Sequence, residues 1–301
     1  MRVLITGGTG LIGKALAMEL VGRGHDVTLL SRDPKKAIGL PDEVRIERWD
    51  AHTADGWASL VDGAGAIVNL SGENIAAGRW TPERKRRIRE SRLNAGQAVV
   101  RAIETVPNKP GVVVQASGIG IYGDCGDEEV TEETPPGHDF LAQFAIEWEH
   151  STSRLQNLGV RWLAIRTGVV LSSAGGALGR MILPRYFYAR RFGSGLQWFP
   201  WIHIADEVGA ISFLIENEAA YGSFNLSAPN PVTNAMFCER LGKELGRPVP
   251  IPIPSSLLSM FLGEMATALL YSQRAVPQRL LQMDFTFRFP GIDLALQDLL
   301  R

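Results

Sequence analysis

Short apolar runs alternate with helical spacing through the first half of the chain. Val3–Thr6, Val27–Leu30, Ala66–Leu70, Val112–Ala116 and Trp162–Arg166 are rich in Val, Ile and Leu and lack polar alternation. Strands of that kind are buried on both faces, as in a parallel sheet covered by helices on either side. Leu11 to Val21, Leu93–Glu104 and Phe140–Leu158 carry apolar residues at helical spacing, and Gly22, Gly24 and Gly159 stand where those helices must stop. The expected fold class is α/β, a doubly wound parallel sheet of Rossmann type. After Gly168 the pattern changes to Gly-rich and aromatic segments, Gly175-Gly176, Gly193–Gly195 and Trp198–Trp201, followed by the Pro-rich stretch Pro248–Pro254. An apolar helix over Ser255–Tyr271 comes next; Gly263 and Glu264 inside it favour a buried lid over a membrane span. One more core strand is expected near Ser223–Leu226. Residues 1–167 therefore read as the sheet domain, with core elements returning at about 203–227, and residues 168–202 and 228–301 as a smaller mixed region laid over it.

Composition narrows the function. The 301 residues are 45% hydrophobic and 21% charged, which excludes a disordered or fibrous chain. Net charge is -1, yet Arg79–Arg92 holds seven basic side chains against two acidic ones. Thr81 and Pro82 suit the N-cap and first residue of a helix there, on which Arg87 and Arg92 lie near one face and point at phosphates. A solvated helix face and a nucleic-acid patch are the rival readings; the lack of interleaved aromatics and the presence of Glu83 and Glu90 weigh against nucleic acid. Cys125 and Cys238 are 113 positions apart and fit neither a metal motif nor a disulfide framework, so a reducing compartment, the cytoplasm, is expected. The apolar run after Met1 breaks at Gly7-Gly8, too short for a secretory segment. The expected partner is a small-molecule substrate, without nucleic acid or membrane, and with a homodimer as the candidate assembly.

The strongest motif is Gly7-Gly8-Thr9-Gly10-Leu11-Ile12-Gly13, which follows the first strand and opens the first helix. Gly7, Gly10 and Gly13 let backbone amides face a pyrophosphate at the positive end of that helix, so a dinucleotide is expected. The second strand ends in Ser31-Arg32, where an NAD binder usually places a carboxylate for the ribose hydroxyls. A hydroxyl and a guanidinium suit a 2′-phosphate, which makes NADP(H) the expected cofactor. The alternative leaves Arg32 in solvent and gives the ribose to Asp33.

Several segments together carry a family resemblance: Thr6–Gly13, Asn69-Leu70-Ser71-Gly72-Glu73-Asn74-Ile75, Arg79-Trp80, Ser91-Arg92, Gly120-Ile121-Tyr122-Gly123-Asp124, Arg166-Thr167-Gly168, Trp201-Ile202-His203-Ile204 and Asn230-Pro231-Val232-Thr233-Asn234. On them the chain resembles the epimerase-family branch of the atypical extended short-chain dehydrogenase/reductases, which have a dedicated C-terminal region. The resemblance implies NADP(H) held by the glycine turn with Thr9, Leu11 and Ile12, by Ser31 and Arg32, by Leu70 and Ser71, by Arg92 and by the backbone near Val170.

Members of the wider class use a Tyr followed four residues later by a Lys, the ammonium lowering the phenol pKa while the phenol transfers the proton. Here Tyr122, Tyr186, Tyr188, Tyr221 and Tyr271 are followed at that spacing by Gly126, Arg190, Phe192, Asn225 and Ala275. No such pair exists. Tyr186 and Arg190 come nearest, and read better as a helix-surface pair. The helix that should carry the pair has Phe140 and Phe144 instead. Ser117 sits one position early for the usual hydroxyl, with Gly118 in the expected slot. Tyr122, just past a strand's carboxyl end, is then the best candidate proton donor, with Ser117 as the second catalytic candidate and a packing tyrosine as the alternative. Cys125 has no histidine nearby in sequence to activate it. His203 and Asp206 read as a structural pair, and the aromatics at Trp198–Trp201 suit a flat ligand ring or core packing equally. Two functions follow: an NADP(H)-dependent oxidoreductase or epimerase acting on an unknown small molecule, or an NADP(H)-binding sensor or scaffold without turnover. A conventional nucleotide-sugar epimerase is the weakest reading. Phe140→Tyr with Phe144→Lys is expected to leave a folded protein without efficient UDP-sugar turnover in a coupled assay, because the new ammonium is desolvated in a site shaped for a phenyl ring.

Overall fold

The computed structural model describes residues 1–182, 189–249 and 251–301. Its frame is seven strands: β1 (Arg2–Thr6), β2 (Asp26–Ser31), β3 (Arg45–Arg48), β4 (Ala66–Asn69), β5 (Val112–Gly118), β6 (Arg161–Thr167) and β7 (Gly222–Leu226). They lie in the order β7-β6-β5-β4-β1-β2-β3, and each neighbouring pair is parallel. The order reverses between β1 and β4. Ligands of open α/β sheets bind at that switch, outside the carboxyl ends of the strands.

Side-chain alternation along each strand feeds two cores, which is why the runs look continuously apolar. Val3, Ile5, Val27 and Leu29 face helices α1 (Leu11–Gly22) and, further along the chain, Ile204–Glu216; Leu4, Ile67 and Val113 face α2 (Pro82–Thr105) through Ala95, Val99 and Ile103. Polar residues near the carboxyl ends are matched across the sheet. Thr6 Oγ1 donates to Asn69 Oδ1 (2.6 Å), Asn69 Nδ2 to Gln115 Oε1 (2.9 Å), and Thr152 Oγ1, from α3 (Phe140–Ser153), to the same Gln115 oxygen (3.2 Å). A separate apolar cluster holds the later segments: Leu178 on α4 (Gly176–Ile182), Trp201 just before α5 (Ile204–Glu216), Phe237 and Leu241 on α6 (Asn234–Glu244), and Leu296 near the C-terminus.

Several boundaries differ from the pattern reading. β3 was hidden because Arg45-Ile46-Glu47-Arg48 is a charged edge strand, a composition that discourages pairing with other chains. α2 begins at Pro82 with Thr81 as its N-cap, as the Thr81-Pro82 pair implies, Thr81 Oγ1 accepting the Arg84 amide; it runs unbroken into the apolar segment from Leu93 as one helix. The run from Phe140 to Leu158 is α3 followed by a 3-10 turn over Arg154–Leu158. The expected helix over Ser255–Tyr271 breaks at Gly263 (φ 61°) into α7 (Ser255–Leu262), a 3-10 turn and a short helix over Thr267–Leu270. Nor is α7 buried: Leu258 is enclosed, whereas Met260 and Phe261 are 60% and 64% exposed. Tyr186, and with it the Tyr186/Arg190 pair, lies outside the described residues, as do Tyr188 and Pro250. Among the described residues no helix is long and apolar enough to cross a membrane.

In the first turn of α5, Glu207 is fully enclosed. Its Oε1 accepts from Thr167 Oγ1 at 2.8 Å and its Oε2 has no partner. Burial pushes its pKa from 4.5 up to about 8, so the native carboxyl keeps its proton at neutral pH while the unfolded chain has lost it. A pKa raised by folding means relative stability at low pH that is lost as pH climbs. The Glu207 contribution is therefore expected to fall between about pH 4.5 and pH 8. Urea midpoints measured across that range should decline less in Glu207→Gln than in the wild type.

Candidate functional site

Two adjoining clefts open at the carboxyl edge of the sheet. The first, about 550 Å³, begins at the glycine turn. Gly7 has φ +68°, and a Cβ there would lie 2.8 Å from the Leu70 carbonyl carbon; a Cβ on Gly13 would lie 2.6 Å from Gly8 Cα. Only glycine lets the turn rest on the end of β4 and lets α1 start directly beneath it. The Gly10 amide closes the turn on the Gly7 carbonyl (3.0 Å), and the first turn of α1 carries no acidic residue to compete for its positive end.

Gly7, Thr9, Gly10, Ser31, Arg32, Leu70 and Ser71 all line this first cleft. Asp33 lines it too, but its Oδ1 caps the following 3-10 turn by accepting the Lys35 amide (3.3 Å), and its own amide donates to Ser31 Oγ (3.2 Å). Trp49 and His52 complete the far wall. Neither was read as a site residue, because no motif marks them: one precedes and the other follows a bend after β3.

The second cleft, about 360 Å³, shares Leu70 with the first. Ile12, Ala116, Phe144, Trp148 and Ala268 make it mainly apolar, and Ser117, Thr167, Tyr271 and Gln273 add polar groups. Among the described residues Arg92 is the single charged residue in its wall. Its neighbour on the motif, Arg87, is exposed and pairs with Glu73 (3.9 Å), so the two arginines do not converge on one phosphate. Leu11 opens α1 without lining either cleft. Val170 packs on the sheet core, and its neighbour Val169 lines the second cleft.

Ser117, at the end of β5, is 5% exposed, and its Oγ has no hydrogen-bond partner. Tyr122 is placed otherwise than expected. Its hydroxyl donates to Asn225 Oδ1 (2.7 Å) and accepts from Arg166 Nη1 (2.9 Å), while Arg166 is held by both oxygens of Glu149 (2.9 and 3.1 Å). It lines neither cleft. Burial pushes the phenol up to about 12, the opposite of what a proton donor working near neutrality needs. Tyr122 thus sits in a buried polar network away from both clefts, the placement of the hydrogen-bonding alternative. Sequence distance hid this, because Asn225 and Arg166 reach Tyr122 from two later strands.

The remaining candidates resolve in the same direction. Burial and neighbouring carboxylates push the Cys125 thiol up, away from nucleophilic character. His203 Nδ1 accepts the Ala205 amide (3.0 Å) at the start of α5, and Asp206 accepts the Arg288 and Phe289 amides (2.7 and 2.9 Å), the structural role expected of the pair. Trp201 is core, Phe199 packs on Phe237 (4.7 Å), and Trp198 Nε1 donates to Asp127 (2.5 Å). These rings pack against the protein and line neither cleft.

A model of the NAD dependent epimerase/dehydratase family matches residues 3–227. The chain belongs to that family. A second model, a domain of unknown function (DUF1731), matches residues 253–299. That segment supplies Ala268, Tyr271 and Gln273 to the second cleft. The bovine epimerase family protein SDR39U1 is 39% identical over 306 residues, covering 100% of both chains. The crystal structure of human SDR39U1 (isoform 2) with NADPH superimposes with a TM-score of 0.89 at 36% identity, covering 99% of each chain. A Thermus thermophilus UDP-glucose 4-epimerase in complex with NAD shares the fold (TM-score 0.75, 98% of each chain) at 20% identity. As an extended short-chain dehydrogenase/reductase, the protein carries the family sheet, while Tyr122 is buried away from both clefts. Tyr122→Phe should lower the unfolding free energy by about 1–3 kcal/mol, since Asn225 and Arg166 lose a buried partner; urea denaturation measures it.

Proposed function

We propose that the two clefts together hold NADP(H), and that the protein is an oxidoreductase acting on a small molecule in the second cleft. The observation that supports this most is their continuity: a glycine turn and Ser31-Arg32 stand at one end, an apolar chamber at the other, and Leu70 belongs to both. The residues fit the group. The Gly7–Gly10 turn with Thr9 takes the pyrophosphate, Ser31 and Arg32 the 2′-phosphate, and Leu70 and Ser71 border the path between. When bound, the reduced nicotinamide supplies a hydride. Ser117 Oγ has no partner among the described residues, which supports a role as donor to a substrate oxygen, and the apolar walls limit water. The NADPH in the human relative's structure supports the choice of cofactor.

We place the substrate among small molecules and not nucleic acids: the basic face of α2 is largely matched, with Arg84 on Glu73, Lys85 on Glu264, Arg86 on Glu90 and Arg89 on Glu147. The two free cysteines agree with a reducing compartment such as the cytoplasm. One observation favours a second reading, an NADP(H)-binding sensor without turnover: among the described residues the chamber wall holds the phenol of Tyr271 and no lysine.

Fluorescence titration tests the cofactor. NADPH should bind more tightly than NADH by about 1.5–3 kcal/mol, the worth of a charged hydrogen bond, and Arg32→Ala should erase that preference. Equal affinities in the wild type overturn it. NADPH consumption over a panel of carbonyl compounds then separates the two readings, because tight binding with no turnover selects the sensor.

A further inference from the structure

Glu207 carries an ionisable group into the interior that the proposed chemistry leaves unused. It is fully enclosed in the first turn of α5, and of its two carboxyl oxygens only Oε1 has a partner, Thr167 Oγ1 at 2.8 Å. Thr167 ends β6 beside Gly118 of β5 and lines the second cleft. The enclosed acid therefore stands one hydroxyl away from the chamber. The charged groups around it are engaged elsewhere. At the start of α5, Asp206 accepts the Arg288 and Phe289 amides and His203 lies against Asp298 (3.2 Å). On α1, which packs against α5, Lys14 donates to the Ile38 carbonyl and Glu19 pairs with Arg23. On β6, Arg161 holds the Leu214 and Ile215 carbonyls at the far end of α5, and Arg166 pairs with Glu149. β5 and the strand Val169–Ser172 bring no charged residue. Burial outweighs the single hydrogen bond, so Glu207 holds its proton at neutral pH.

A neutral carboxyl and a hydroxyl can each donate to the other. With Thr167 as donor, the acid's own proton is enclosed at Oε2 without an acceptor, which costs free energy. With Glu207 as donor, that proton is used and the Thr167 hydrogen is free to turn to an acceptor in the chamber. We infer that Glu207 is the proton store of the second cleft, acting through Thr167 on the oxygen of a carbonyl substrate. The carbonyl carbon takes a hydride from the reduced nicotinamide, and its oxygen takes the Thr167 proton. Thr167 Oγ1 takes the Glu207 proton in turn, and solvent reprotonates Glu207 once product has left. The carboxylate forms as the nicotinamide becomes cationic, so the two new charges compensate each other. Ser117 Oγ lines the same chamber, but it has no hydrogen-bond partner behind it to restore a proton. The inference rests on the proposed reading that NADP(H) occupies the two clefts, with its nicotinamide end in the second.

Proton release on nucleotide binding tests it without a substrate. In lightly buffered solution at pH 7 with an indicator dye, NADP⁺ should release about half a proton more per bound molecule than NADPH, because a cationic ring in the chamber favours the Glu207 carboxylate. Glu207→Gln should abolish that difference. Infrared spectra of the wild type should show a protonated carboxyl band at pH 7 that is missing in Glu207→Gln, shifts in Thr167→Val and fades as NADP⁺ is added. With any carbonyl compound that consumes NADPH, Glu207→Gln and Thr167→Val should each lower kcat at least ~10-fold, while Thr167→Ser keeps most of it. The wild-type kcat should fall above about pH 8, and NADPH affinity should change little in all three variants. Circular dichroism and Tm check the fold; if Glu207→Gln does not fold, the wild-type infrared titration and Thr167→Val decide. Equal proton release by the two nucleotides, a difference that persists in Glu207→Gln, or a Thr167→Val enzyme with the wild-type kcat overturns the inference and leaves the cofactor reading standing. A wild type that binds neither nucleotide overturns the cofactor reading, and this one with it.

Discussion

The close approach of the Gly7 turn to the end of β4 is the constraint on which the site depends. With its missing Cβ only 2.8 Å from the Leu70 carbonyl carbon, Gly7 has no space for any side chain, and its positive φ would strain one in any case. That contact puts the N-terminus of α1 at the point where strand order reverses. The first cleft then forms between the turn, Ser31-Arg32 at the end of β2 and Ser71 after β4. The Thr6–Asn69–Gln115 hydrogen bonds just below keep β1, β4 and β5 level, so the strand ends present an even rim.

Beyond Leu70 the character of the rim changes. Phe140, Phe144 and Trp148 follow one another up a single face of α3, with ring centroids 6.1 and 5.8 Å apart. Where the wider class carries a phenol and an ammonium, this helix builds a ring stack against which Arg92 lies. The same helix contributes Glu149 to the buried pair that holds Arg166 and, through it, the Tyr122 hydroxyl. Withdrawing Tyr122 and exposing the rings to the chamber are thus two sides of one helix's sequence. Breaking the Arg166–Glu149 pair from either side leaves an uncompensated buried charge, so the arrangement tolerates little drift.

The region after residue 253 closes the chamber. Gln273 Nε2 donates to the carbonyls of Ile119 and Gly123 (3.3 and 2.7 Å), docking the segment on the turn that holds Tyr122, and Lys85 of α2 pairs with Glu264. The chamber wall is therefore shared between the family sheet and its C-terminal extension.

What the sequence by itself determined was local and periodic. Runs of Val, Ile and Leu marked five of the seven strands, because a strand buried on both faces has few polar positions to hide it; β7 was expected as one more core strand near Ser223–Leu226, and the charged edge β3 escaped because its residues face solvent. The glycine turn and Ser31-Arg32 were legible because their chemistry lies in consecutive residues at the junction of a strand and a helix. The Tyr122 network, the enclosure of Arg92 against Phe144 and Trp148 and the lining by Thr167, Tyr271 and Gln273 were decided only by tertiary structure. Each joins residues from separate elements: Tyr122 meets Asn225 across 103 positions, and Gln273 meets Gly123 across 150. Whether a phenol is a proton donor or a strut depends on which donors and acceptors fold around it, and no spacing along the chain records that.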